Sequence, residues 1–396
     1  MKSCDIAIIG GGLVGASLAL AVQYFFKQRC PRIALIEPFA AGSDYQPSFD
    51  ARCTALSYGS RLIYQKLGLW PELSELVQPI KRIEVSAQGS FGRTCLEAVR
   101  EKVPALGYVV ENAWLGHCLW QKLESCASIE RICPAEVIKL KPHRTGFYLE
   151  LKDGQSIDTQ LAVLADGGRS NLREQLGIAL SRKDYQQSAV IANLSTSEPH
   201  QNRAFEHFGK DGPLALLPLA KNRLALVWSR STEEAERLLQ VSHADFLSRL
   251  QAVFGDALGT FTELGARHSY PLQLELAREQ VRSHLVVLGN AAHRLHPIAG
   301  QGYNLSLRDA FTLAETLAQS EAPLGSLAPL QRFVRRQRLD QQLTIASSDR
   351  LPRLFAHQHP LLAALRGLGL AALDLAPAAK SAFARQMMGL APRHDA

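Results

Sequence analysis

Long apolar runs, paired cysteines and dense charge of one sign are all scarce in this chain of 396 residues. No uninterrupted hydrophobic stretch approaches the roughly 20 residues that cross a bilayer, so an integral membrane helix is not expected. Seven cysteines (Cys4, Cys30, Cys53, Cys95, Cys118, Cys126, Cys133) form an odd set without a C-x-x-C pair. That pattern suits buried, reduced thiols better than a disulfide framework or a zinc site. Nothing ahead of Asp5 has the basic, apolar and small-residue order of a signal peptide, and the expected location is the cytoplasm. A net charge of +7 raises nucleic acid as a partner, yet the basic residues are scattered and no DNA- or RNA-binding motif occurs. Nucleic acid is therefore not expected. Only Arg332, Arg335, Arg336 and Arg338 cluster, as a solvated helix face or a contact with acidic lipid. A P-loop, a Ser-His-Asp arrangement and paired carboxylates are missing as well.

What is present is an ordinary globular composition, 46% hydrophobic and 20% charged, in a chain long enough for two domains. Three glycine-rich stretches stand out. The first, Gly10-Gly11-Gly12-Leu13-Val14-Gly15, follows the apolar run Asp5–Ile9 and precedes helical spacing from Leu13 to Phe26. Arg32–Glu37 reads as the next parallel strand, which completes a βαβ unit. In such a unit Gly10 permits the tight turn, Gly12 lets backbone approach a pyrophosphate and Gly15 lets helix pack on strand, while Glu37 is placed to accept hydrogen bonds from a ribose. A second match to the glycine pattern, Gly367 to Ala372, follows a helix-like segment and reads as a helix contact.

The second stretch, Asp166-Gly167-Gly168-Arg169-Ser170 with Arg173, follows the buried-strand pattern Leu161–Ala165. The third, Gly289-Asn290-Ala291-Ala292-His293 through Pro297, Gly300, Gln301, Gly302 and Asn304, follows Leu285–Leu288. Each lies at the carboxyl end of an expected parallel strand, where open sheets bind ligands. His293 and His296 alone make a poor metal pair, because no cysteine or carboxylate partner has suitable spacing; no metal is expected.

Around these stretches the pattern gives an α/β chain. Residues 1–184 read as a Rossmann-like nucleotide-binding domain that lends strands near 80–110 to a substrate domain. Residues 185–279 read as that β-rich domain, with a helical insert from Thr232 to Phe254. Residues 280–330 complete the first domain, and 331–396 are helical, broken at Pro352, Pro360 and Pro377. Trp228, Phe205, Phe208 and His207 fit a substrate pocket or a strand core equally well.

The three stretches, in this order, resemble the flavoprotein monooxygenases of the aromatic-hydroxylase type. Asp166-Gly167-x-x-Ser170-x-x-Arg173 looks like that family's second fingerprint, and Gly289 to Asn304 like its Gly-Asp-Ala-Ala-His motif and Gly-Gln-Gly loop. The segments Arg203–Phe208, Gly212–Pro218 and Leu226–Trp228, with His296-Pro-Ile-Ala-Gly-Gln-Gly302, look like the ubiquinone-biosynthesis hydroxylases.

The resemblance implies a para-hydroxybenzoate-hydroxylase-like fold, with FAD held by Gly10, Gly12, Gly15, Glu37, Arg52, Asp166, Gly167, Ser170, Arg173, Gly289, Asn290, Ala292, Gly300, Gly302 and Asn304. It places Pro297, Gly300, Gln301 and Gly302 at the reacting ring. NAD(P)H is implied as electron donor and O2 as cosubstrate, with oxygen passing from a flavin C4a-hydroperoxide to a polyprenylated phenol. The implied reaction is 2-polyprenyl-6-methoxyphenol to the 1,4-benzoquinol; another ring position, a soluble aromatic, or a non-enzymatic isoprenoid-binding escort are the alternatives. A ubiquinone-biosynthesis protein complex and peripheral contact with the inner membrane are the implied partners; the basic cluster and the apolar Leu361–Leu375 segment read as a docking surface, an interior helical core or an oligomer contact.

Two positions depart from the pattern. Gly116 stands near where many relatives carry a dinucleotide-binding arginine, and Asn290 replaces the usual aspartate. An amide accepts a hydrogen bond from a ribityl hydroxyl but adds no negative charge, so the flavin is expected to be easier to reduce. Asn290→Asp should lower the midpoint potential of bound flavin in a spectroelectrochemical titration; an unchanged potential would contradict this.

Overall fold

The computed structural model describes residues 2–40, 52–87, 93–296, 300–356 and 376–390. Its first sheet is built on apolar runs buried on both sides, as parallel strands must be when helices or hairpins cover each face. Leu285–Val287, Ser156–Leu164, Lys2–Ile9, Ile33–Ile36 and Ile129–Ile132 lie side by side in that order, all parallel. Register pairs Ile9 with Leu164 and with Ile36, so the three strands end level. Along Lys2–Ile9, Ile6 and Ile8 enter one core and Ala7 and Ile9 the other. Helices Leu13–Phe26, Asn112–Glu124 and Gln301–Ala318 supply the first core. The antiparallel pair Val137–His143 and Gly146–Leu151 closes the second.

After Leu164 the chain leaves this sheet and builds a nine-stranded one, centred on the long strand Leu180–Thr196. That strand is flanked by His268–Ala277 and Arg223–Ser231, and the sheet continues through Gly212–Pro218, Arg203–Gly209, Arg82–Ala87 and Arg93–Glu97. The stretch near 80–110 is thus divided. Arg82–Ala87 and Arg93–Glu97 join the large sheet, whereas Gln78–Ile80 and Gly107–Glu111 pair with Cys53–Ser57 in a small third sheet.

Three local expectations change. The insert after Thr232 is two helices, Thr232–Gln240 and His243–Phe254, because Ser242 caps the second by accepting the Asp245 N–H at 3.1 Å. Pro352 does not break the chain's helix, which runs from Leu327 to Ala356; the helix continues one more turn past it, without the bond that a residue there would donate to the Ser348 carbonyl. Pro377 opens the helix Pro377–Met387, at the position where a missing N–H costs nothing. Pro360, Leu361–Leu375 and the Gly367–Ala372 pattern lie outside the described residues.

Close packing of the first helix on the first strand depends on one missing side chain. A Cβ at Gly15 would stand 1.9 Å from the Gly10 carbonyl oxygen, a backbone atom that cannot swing aside. Gly15→Ala is expected to cost about 3 kcal/mol, read as a lowered thermal midpoint by circular dichroism. An unchanged midpoint would show that the helix does not bear on the Gly10 turn.

Candidate functional site

The level strand ends open into a cavity of about 1470 Å³, beyond the roughly 300–1,000 Å³ of most small-ligand pockets. Its lining takes in residues from all three glycine stretches: Gly10 and Gly12; Asp166, Gly167 and Ser170; Gly289, Asn290, Gly300, Gln301, Gly302 and Asn304. Glu37 and Arg52 line it too.

Gly10 has φ +108, and a Cβ there would meet the Ala165 carbonyl oxygen at 2.5 Å, so the first and second loops touch through bare backbone. Gly12 begins the helix Leu13–Phe26, whose first turn has no side-chain cap and no acidic residue. Those amides and the helix dipole therefore face the cavity as an anion site. Glu37 is buried and accepts the Gly11 N–H at 2.6 Å and the Phe39 N–H at 3.2 Å, which fixes its carboxylate at the cavity edge.

Trp120 donates from its ring nitrogen to the Gly11 carbonyl at 2.9 Å and holds the same turn from outside. The helix bearing Gly116 thus reaches the first loop through Trp120, while Gly116 itself lies buried within that helix.

In the second loop Asp166 organises its own turn. Its carboxylate accepts the N–H of Gly168 at 2.9 Å and of Ser170 at 3.0 Å, and also the Ser170 hydroxyl. Gly167 and Gly168, with φ of +73 and +71, supply the backbone this requires. Arg169, which the motif carries as a variable position, lines the cavity. Burial lowers its pKa first and repulsion from Arg52 next, with Glu37 and Asp166 opposing and Arg294 adding to the repulsion. Three guanidinium groups thus converge on the cavity beside an uncapped helix start, with Arg294 held by Glu275 at 3.3 Å, donors of the kind that bind a pyrophosphate. Arg52 also stacks over the Tyr270 ring at 5.0 Å.

The third loop is anchored by Asn304. Its side-chain oxygen accepts the Ser57 N–H at 2.8 Å and the Ser60 hydroxyl at 2.6 Å; its amide nitrogen donates to the Ala55 carbonyl at 2.8 Å and the Gly300 carbonyl at 2.7 Å. The amide is saturated, so this side chain clamps the loop to strand Cys53–Ser57 and has no bond left for a ligand. Gly300 is left-handed at φ +60 and sits against Ala55, 3.1 Å from where its Cβ would be. Tyr303 lines the cavity and shares hydroxyl contacts with Tyr64 and Ser17.

Three expected residues do not line the cavity. Gly15 is spent on helix packing. Arg173 is buried and donates to the Ala291 carbonyl at 2.6 Å, tying the second loop to the third. Ala292 is buried, its N–H on the Gly289 carbonyl at 2.9 Å. Pro297 lies outside the described residues. His293 pairs with the buried Asp309 at 2.7 Å and staples the loop to helix Gln301–Ala318. His296 faces the cavity beside Tyr185, and burial pushes its pKa down to about 4.

Among the four residues expected in either pocket or core, Trp228 and Phe205 pack in the core against Phe246 and Phe254, at ring distances of 5.7 and 5.2 Å. Phe208 faces the cavity, and His207 bonds Ser86 at 3.0 Å.

Comparison with known proteins agrees with this geometry. A family profile described as FAD binding domain matches residues 3–326. The chain is 34% identical to the ubiquinone hydroxylase UbiL of Rhodospirillum rubrum, over 98% of this chain and 90% of that one. It is 32% identical to the 3-demethoxyubiquinol 3-hydroxylase of Escherichia coli, over 98% of each. The crystal structure of p-nitrophenol 4-monooxygenase PnpA from Pseudomonas putida superposes with a TM-score of 0.80 at 15% identity, over 98% of this chain and 99% of that one, which shows the shared fold.

The saturated amide generates a direct test. Asn304→Ala would strand the Ser57 N–H and the Ala55 carbonyl in a buried setting, at roughly 1–3 kcal/mol for each unsatisfied group. The variant should melt earlier and lose flavin on gel filtration; full flavin content and an unchanged melt would contradict the clamp.

Proposed function

From the premise that this chain belongs to the FAD binding domain family of flavin monooxygenases, we propose that it hydroxylates a polyprenylated phenol in ubiquinone biosynthesis, consuming NAD(P)H and O2. The finer reading is conversion of 2-polyprenyl-6-methoxyphenol to the 1,4-benzoquinol. One observation carries it: a single cavity joins the dinucleotide cradle at the strand tips to an apolar chamber under the nine-stranded sheet, walled by residues such as Ile83, Val85, Ile191, Leu217 and Phe208. A prenylated ring needs both ends. Its head must meet the cofactor, and its tail must stay out of water, at roughly 0.8 kcal/mol for each buried CH2.

The residues divide the work by chemistry. The amides after Gly12, with Arg52 and Arg169, suit the diphosphate, and Glu37 suits the adenosine ribose. Asp166 and Asn290 border the stretch where a ribityl chain would lie. Gly300, Gln301 and Gly302, held down by Asn304, form the wall for the ring and bring backbone rather than side chains to it. Bound FAD supplies the redox chemistry, taking electrons from NAD(P)H and activating O2. The protein's part is to orient the two rings and keep water from the reacting atoms, which the apolar chamber does. No protein nucleophile enters.

Delivery of so apolar a substrate calls for the inner membrane, a carrier or a biosynthetic complex. No helix among the described residues is long and apolar enough to cross a membrane. Arg332, Arg335 and Arg338 are exposed on helix Leu327–Ala356, whereas Arg336 is paired with Glu315 at 2.6 Å. The three exposed arginines are the described part of the docking face we propose.

Purified holoprotein given NADH or NADPH and a short-chain 2-prenyl-6-methoxyphenol should consume O2 in proportion to substrate. The product should be one oxygen heavier, with the new hydroxyl para to the first. Oxygen at another ring position would overturn the finer reading, and no substrate-dependent product from any prenylated phenol would overturn the coarser one.

A further inference from the structure

One carboxyl on the wall of the apolar chamber has no assigned role. Strand Arg203–Gly209 alternates its side chains: the Phe205 ring packs on Phe254 and His207 bonds Ser86, while Ala204, Glu206 and Phe208 line the cavity, whose wall Phe205 also touches. Register places Glu206 between Val85 on one side and Ala215 on the other, in a row that continues to Val227 and Ile191. These four neighbours are apolar, and the row ends at Thr94 beyond Val85 and at His268 beyond Ile191.

The two adjoining rows both lead to the strand beside the ring-facing loop. On one side, Tyr270 pairs with Ala189 and carries the Arg52 guanidinium on its ring. On the other, Ala204, Leu217 and Ala225 pack with Cys53 and Ala55, and Ala55 is the residue against which Gly300 rests. Glu206 therefore lies on the chamber wall between two rows that each reach the 52–57 segment.

No hydrogen bond or ion pair engages the Glu206 carboxyl among the described residues. Helix Leu327–Ala356 also packs on strands Arg203–Gly209 and Gly212–Pro218, and among the described residues no charge acts on the Glu206 carboxyl, which burial alone perturbs. Thr94, beyond Val85, is neutral. Helix Pro377–Met387 presents Phe383, Ala384 and Met387 to the cavity, and strand Cys53–Ser57 presents Cys53 and Ala55. Arg52 and Tyr270, reached through the adjoining row, are engaged with each other. Glu206 is half-buried and lines the cavity, and a carboxyl among apolar neighbours is costly unless a ligand meets it. Burial alone raises its pKa, to about 8.

We propose that Glu206 is the residue that binds the ring hydroxyl of the phenol and takes its proton, an inference that rests on the reaction proposed above. In this step the phenolic O–H bond breaks, its electron pair stays on the ring oxygen, and the proton moves to a Glu206 carboxylate oxygen. The ring carbons ortho and para to that oxygen gain electron density for oxygen transfer. When the hydroxylated ring regains aromaticity, the hydrogen on the attacked carbon leaves to solvent as a proton and Glu206 returns its own proton to the ring oxygen. No oxidant or reductant is consumed by either transfer.

A carboxylate is needed to receive the proton, and that form of Glu206 accumulates as pH rises towards and past 8. Hydroxylation by the holoenzyme with short-chain 2-prenyl-6-methoxyphenol should therefore gain kcat/KM between pH 6.5 and 9. Glu206→Gln should be flat over that range and roughly 100-fold slower at pH 8, within the usual reach of a positioned base, with flavin content unchanged. Wild-type oxidised enzyme mixed with the phenol should show the ultraviolet difference band of a phenolate, and Glu206→Gln should not. Should the glutamine variant lose its flavin, Glu206→Asp takes its place and is expected to keep a rising limb at lower rate. Product from the wild type, together with a glutamine variant that keeps both the limb and the phenolate band, would overturn the proposal alone. No product from the wild type at any pH would overturn the reaction and the proposal together.

Discussion

The site depends on parallel pairing that continues to the last residue of each strand. The Gly10 N–H reaches the Ile36 carbonyl at 2.8 Å, the Ala165 N–H reaches the Ile9 carbonyl at 2.8 Å and the Leu288 N–H reaches the Leu164 carbonyl at 2.9 Å. Because the ladder holds to the tips, the loops that follow leave the sheet at one level and from neighbouring strands. Segments far apart in sequence are thereby set against each other before any ligand is considered. Gly10 against Ala165, and Arg173 against Ala291, are the contacts that result.

The polar groups at these tips fall into two sorts. Asp166, Asn304 and Arg173 are spent on the protein and shape the loops. The amides after Gly12 and the guanidinium groups of Arg52, Arg169 and Arg294 line the cavity, donors suited to an anionic ligand. A dinucleotide with an anionic centre and a long, flat end matches that division, and the apolar chamber beyond it matches an apolar ring with a tail.

How far the residues announce this differs from place to place. The three loops are legible because each glycine pattern follows a short apolar run, and runs buried on both sides read as parallel strands. Asn304 is legible as important but not in its role, since its partners at Ser57, Ser60 and Ala55 lie some 250 positions away along the chain. The pairing of Arg82–Ala87 with Arg203–Gly209 is equally non-local, and nothing in either segment names the other. Glu206 is the clearest omission. Alternation in Ala204-Phe205-Glu206-His207-Phe208 shows two faces but not which is dry, because helices bury one face of the sheet and the cavity lies under the other. The prolines at 352 and 377 mislead for a different reason: their cost depends on position within a helix, which pattern alone does not fix.

The central claim is that one flavin dinucleotide is gripped by all three loops at once. Hydrogen exchange on flavin-stripped protein, measured before and after adding FAD, tests this most directly. Peptides covering residues 10–16, 166–172 and 300–304 should slow together and saturate at one FAD per chain. Slowing confined to the first peptide, with the other two unchanged at saturation, would contradict it.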